Sequence, residues 1–123
     1  LGDLASDYFE IGNNAVVFMK HFRNHFNTLW KDQGMWLQIE NYINKNHNNS
    51  IVKLTLKHSN LTDDDLHLLM LIILGFNSTA ISICLCYKSL NVVYVSKSRL
   101  KRKLQISCSI EEYLKILEKQ NID

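Results

Sequence analysis

Three helix-start signals follow one another between Leu61 and Leu104, in the stretch LTDDDLHLLMLIILGFNSTAISICLCYKSLNVVYVSKSRLKRKL, and they leave little but a run of short packed helices. Thr62 stands three residues before Asp65, the spacing of a capping box, and Asp63 and Asp64 add negative charge where the helix dipole favours it. A helix is therefore predicted to start near Asp63, to carry Leu66, Leu69, Met70 and Ile73 inward, and to stop at Gly75, which takes a left-handed conformation without a Cβ penalty. Asn77 or Ser78 can cap a second helix with Ile81, Cys84 and Leu85 inward. After a turn around Tyr87 and Lys88, Ser89 can cap a third, running to about Lys103 with Val93, Ser96, Leu100 and Leu104 inward.

Helix is favoured elsewhere too, because the 123 residues include no proline and only four glycines. From Asp3 to Lys31 the apolar residues Leu4, Tyr8, Ile11, Ala15, Phe18, Phe22, Phe26 and Leu29 recur at helical spacing. Phe9, Val16, Val17, Met19 and Trp30 widen that stripe, so this helix needs more than one neighbour: either its own domain or a second subunit. Asp32-Gln33-Gly34 reads as a break, followed by a helix from Met35 to about Lys45 and a polar loop, Asn44 to Ser50. Ile51 to His58 is ambiguous in period; helix is the expectation, since a lone strand has no partner here. Ser109 and Glu112 form a second capping-box pattern before Ile110, Tyr113, Leu114 and Leu117, a final helix.

Several function classes drop out. Cys84, Cys86 and Cys108 are an odd number and two stand one residue apart, so they read as reduced core thiols. Neither Cys84/Cys86 nor His21/His25 has further ligands at metal spacing, so no metal is expected. The longest apolar run, Leu68 to Leu74, is far short of the roughly 20 residues of a membrane span, and no leader precedes it; the expectation is a cytoplasmic fragment. No nucleophile has a base at a recognisable spacing and no glycine-rich phosphate loop occurs, so no enzyme activity, cofactor or small-molecule substrate is expected.

Charge is the remaining signal. The net charge is only +2, yet no acid occurs in the 45 residues from Leu66 to Ile110, a span that holds Lys88, Lys97, Arg99, Lys101, Arg102 and Lys103. A solvated face and the dipole of the third helix account for Arg102 and Lys103, but not for the missing acids; an electrostatic footprint for a polyanion does. Helices with the charge on the last one are the layout of a helix-turn-helix nucleic-acid binder. By the helical count Lys97 points to the packed side, while Asn91, Val95, Ser98 and Arg102 face away from it with Tyr94 and Arg99 on the flanks. Lys88, Ser89, Arg99, Lys101 and Arg102 are the phosphate candidates: Ser89 offers donors at a helix N-terminus, the others mobile charge.

These residues resemble the LuxR/FixJ/NarL-type helix-turn-helix. Leu61, Thr62 and Asp65 match its opening; Gly75, Phe76, Asn77, Ser78 and Ile81 match its turn and capped second helix; Ser89, Val93, Leu100, Lys103 and Leu104 match its recognition helix. The ending is similar to a variant at the C-terminus of bacterial sensor-regulators with an upstream TPR array or propeller sensor, in which an aromatic and Val/Ile-x-x-x-His segment comes first; Tyr42, Ile43 and His47 look like its counterpart. Thr79-Ala80, Ser82 and Lys88 depart from the pattern. The resemblance implies an all-α protein, with residues 61–123 a four-helix DNA-binding domain and residues 1–60 a helical extension suited to dimerisation. It implies sequence-specific double-stranded DNA binding by a homodimer, the output module of a transcriptional regulator whose parent protein carries a membrane anchor. Its base-reading positions fall on Tyr94, Val95 and Ser98, beside Asn91; none is basic, so readout would use hydroxyl hydrogen bonds and thymine methyl contacts. The alternative is a helical protein-interaction or dimerisation module that keeps the fold without DNA readout.

Overall fold

The computed structural model describes residues 33–121, so the amphipathic helix expected over Asp3–Lys31, and its dimerisation reading, lies outside the described residues. Six helices follow: α1 Gln33–Asn46, α2 Ser50–Lys57, α3 Asp63–Ile73, α4 Ser78–Cys84, α5 Leu90–Leu104 and α6 Ile110–Lys119. No strand occurs among the described residues, and the protein is all-α there.

The helix starts show why the local signals work. At α3 the Asp65 N–H donates to Thr62 Oγ1 at 3.1 Å and the Thr62 N–H donates back to Asp65 Oδ2 at 2.9 Å, the reciprocal capping box. Asn77, rather than Ser78, caps α4, its Oδ1 accepting from the Ala80 N–H at 2.8 Å. Ser109 accepts from the Glu112 N–H at 3.1 Å, half of the box expected at α6. Ser89 holds the N-cap position of α5 in extended conformation, but its hydroxyl makes no cap hydrogen bond. The ambiguous segment at Ile51 is helical as expected; its first amides, of Ile51 and Val52, donate to Asn44 Oδ1 at 3.0 and 3.3 Å, so a side chain from α1 caps α2.

Three helix ends share one device. After α3, α4 and α5 the chain passes through Gly75 (φ 88°), Cys86 (φ 58°) and Gln105 (φ 58°). In each case the left-handed residue's N–H donates three residues back and the next N–H donates five back, as in Gly75 to Ile72 O at 3.0 Å and Phe76 to Leu71 O at 3.1 Å. One expected break is absent: Gln33 and Gly34 are helical, and Gly34 takes no positive φ. Glycine costs a helix only about 1 kcal/mol, and burial of the neighbouring Met35 and Trp36 outweighs it.

The core wraps α3. Leu68, Leu69, Met70, Leu71 and Ile72 are all buried, a helix apolar all round because α1, α4 and α6 pack on different sides of it. Its flanking Leu66 and Ile73, expected to point inward, are half-buried. Residues on both sides of position 60 contribute to one core, from Met35, Trp36 and Ile39 through Leu54 to Leu104 and Leu117. Trp36 stacks on His67, ring centroids 3.8 Å apart. The α1–α2 turn, expected to be only a loop, grips the end of α6: Asn48 Nδ2 donates to Glu118 O at 2.6 Å, and His47 Nδ1 lies 3.1 Å from Glu118 Oε1. Beside it the buried Lys53 amine donates to Leu117 O at 3.0 Å and Glu118 O at 3.1 Å, a second donor to each of these carbonyls near the end of the helix.

Candidate nucleic-acid interface

The fifteen residues of α5 divide into two faces, and the inward one fixes the outward one. Val93, Leu100 and Leu104 are buried and hold the helix against the core, with α4 as its main neighbour. At about 100° per residue, that leaves Asn91, Tyr94, Val95, Ser98, Arg99 and Arg102 on an outward arc of roughly 140°. All six are exposed, Tyr94 to 52% and Val95 to 41%.

Ion pairs sort the cations. Lys97 Nζ lies 2.9 Å from Glu111 Oε1 at the start of α6, and Lys103 Nζ lies 2.5 Å from Asp65 Oδ2 at the start of α3. Each pair ties an edge of α5 to the negative first turn of a neighbouring helix. Burial opposes ionisation of Asp65, but the bonds from Lys103 and from the Thr62 amide and hydroxyl more than offset it and hold the carboxyl below its ordinary value. Lys88, Arg99, Lys101 and Arg102 make no ion pair among the described residues. Two of six cations are thus spent on holding the helix, and four are left facing solvent or its margin.

Tyr94, Val95, Ser98, Arg99 and Arg102 line one open depression of about 490 Å³. Its described lining comes from a single helix, so it is a furrow between side chains. Nothing in that lining closes over a small molecule or removes one from water. The remaining expected positions fall outside it: Asn91 one turn toward the N-terminus, Lys101 half-buried on the flank, and Lys88 with Ser89 exposed at the helix entrance. The phosphate candidates therefore form two sets. Lys88 and Ser89 stand at one end of α5; Arg99, Lys101 and Arg102 stand ten to fourteen residues further on, roughly 15–20 Å along the axis.

Sequence reasoning missed the Lys103–Asp65 pair and the Lys53 clamp on α6, although it had placed Asp65 in its capping box. No group of three or more metal-ligating side chains occurs among the described residues, and no described helix is long and apolar enough to cross a membrane. No family model, curated protein or solved structure matches the chain.

Proposed function

We propose that the chain binds double-stranded DNA through α5, as the helix-turn-helix output module of a bacterial transcriptional regulator, with α3 to α6 as a LuxR-type domain. The observation that carries this is the outward face of α5: an acid-free helix face with exposed apolar and hydroxyl groups at its centre and cations, unpaired with any described acid, at both ends. The major groove is about 12 Å wide and admits a helix, so cation sets roughly 15–20 Å apart suit phosphates on its two sides. The open hydroxyl of Ser89 and the first-turn amides of α5 add donors at one of them. Lys97 and Lys103 stay with their acids and fix the angle at which α5 stands from the core.

Four cations per domain give a weak, salt-sensitive grip, which favours a homodimer on paired half-sites. A second reading, a protein-interaction module, draws on the exposure of Tyr94 and Val95. One experiment separates the two. Arg99→Glu, Lys101→Glu and Arg102→Glu together should abolish duplex binding, while reversing charge beside the C-terminal end of α5 lowers the thermal melt without unfolding the chain, since these side chains hold no described partner. Unchanged duplex affinity in that variant overturns the DNA reading.

A further inference from the structure

Resting on the DNA reading, we infer that α5 selects A·T base pairs at the centre of its half-site, with Asn91 reading adenine and Val95 reading a thymine methyl. In the major groove guanine is read by a bidentate Arg or Lys, adenine by a bidentate Asn or Gln, and thymine by apolar contact with its methyl group. A recognition helix presents its N-terminal residues to the base edges. On α5 the outward residues of the N-terminal half are Asn91, Tyr94 and Val95, and none is cationic. Arg99 and Arg102 follow in the C-terminal half, where the helix leaves the groove toward the phosphates.

The side chains are free to act in this way. Asn91 is exposed, and its amide has no hydrogen bond to another described residue, so the donor and acceptor pair that adenine requires is open. Val95 is 41% exposed although β-branched and apolar, and it borders the same furrow as Tyr94 and Ser98. Asn91 and Val95 stand four residues apart on one stripe, about 6 Å along the axis, which is roughly two base-pair steps. Ser98 continues the stripe with a hydroxyl that accepts or donates to any base and therefore adds little discrimination. A·T pairs two steps apart are thus the positions the helix can tell from G·C.

The test begins with selection of bound sequences from a random duplex library by the full 123-residue chain. In the enriched duplex each thymine is then replaced by uracil, which removes only the C5 methyl. The expected result is an A·T-biased centre and one thymine whose replacement weakens binding about fourfold, the value of one buried methyl group. Val95→Ala should lose that sensitivity to uracil. Asn91→Ala should lose its adenine preference by roughly five- to a hundredfold at a position about two steps away. A G·C-rich centre, or uracil replacement that is silent at every thymine, overturns the inference and leaves duplex binding standing. Failure to enrich any duplex overturns the inference and the DNA reading together.

Discussion

The left-handed residues that close α3 and α5 predict mutations of opposite sign. Gly75 has φ 88°, and a Cβ built on it meets no atom within 4 Å, so Gly75→Ala meets no steric clash and the backbone conformation alone sets its cost. An L-residue in that region costs about 1–2 kcal/mol, and stiffening of the unfolded chain returns about 0.4–1 kcal/mol. The net expectation is a loss of about 1 kcal/mol. Gln105 at φ 58° reverses the exchange at an end with the same pair of hydrogen bonds, Gln105 N–H to Arg102 O and Ile106 N–H to Lys101 O. Gln105→Gly should therefore gain about 0.5–1 kcal/mol. Urea denaturation followed by circular dichroism measures both as shifts in midpoint at constant slope, and thermal melts should move by about 4 °C in opposite directions. A loss of 3 kcal/mol or more at Gly75, or destabilisation by Gln105→Gly, would refute the conformational account, because only unsuspected contacts at those positions produce either.

Other consequences concern ionisable groups. Burial lowers the basicity of His58, with Lys57 adding to it, and burial does the same to His67 against the opposing pull of Asp64 and Asp63. Folded values below the unfolded value of about 6.5 mean that this stability is complete above that pH and is lost as pH falls below it. The melting temperature should drop between pH 7.5 and 5.5, and His58→Gln with His67→Phe should flatten the drop; a profile as steep as the wild type's would contradict this. Asp65, held low by Lys103 and Thr62, adds stability that is present above its unfolded value near 3.9 and is lost as pH falls further; Asp65→Ala should cost about 1–2 kcal/mol in denaturant titration. Lys53→Met should change stability by less than about 1 kcal/mol, because Leu117 O keeps the Gln120 N–H, Glu118 O keeps Asn48, and no ammonium is then buried. Adding Asn48→Ala removes the remaining side-chain donor to Glu118 O, and a double-mutant cycle should show a combined loss greater than the sum of the two single losses.

The parts of this fold that were legible in the sequence are those written within four or five residues. Thr62 and Asp65, Asn77 and Gly75 announce their roles because a cap or a left-handed stop is a local hydrogen-bonding problem with few chemical solutions. Residue identity without context misled twice. Ser89 occupies an N-cap position but its hydroxyl makes no cap bond, and Gly34 continues a helix because Met35 and Trp36 beside it are buried. The site divided in the same way. Periodicity alone put Asn91, Val95, Ser98 and Arg102 on the face away from the core with Tyr94 and Arg99 on its flanks, and the exposures agree. Which cations remain available was not legible, since Lys103 finds Asp65 across 38 positions and Lys53 finds Leu117 across 64. No spacing rule reaches that far; such pairs exist only once α5 is packed near α3 and α2 against α6.

The salt dependence of duplex binding by the full chain tests the central proposal most directly. With Lys88, Arg99, Lys101 and Arg102 on phosphates, the logarithm of affinity should fall against the logarithm of salt with a slope of about −3.6 per domain, 0.9 for each of four contacts. Arg99→Ala, Lys101→Ala and Arg102→Ala together should reduce that slope to about −0.9. A slope that stays the same in the triple variant, or duplex binding that ignores salt, contradicts a DNA-binding role for α5.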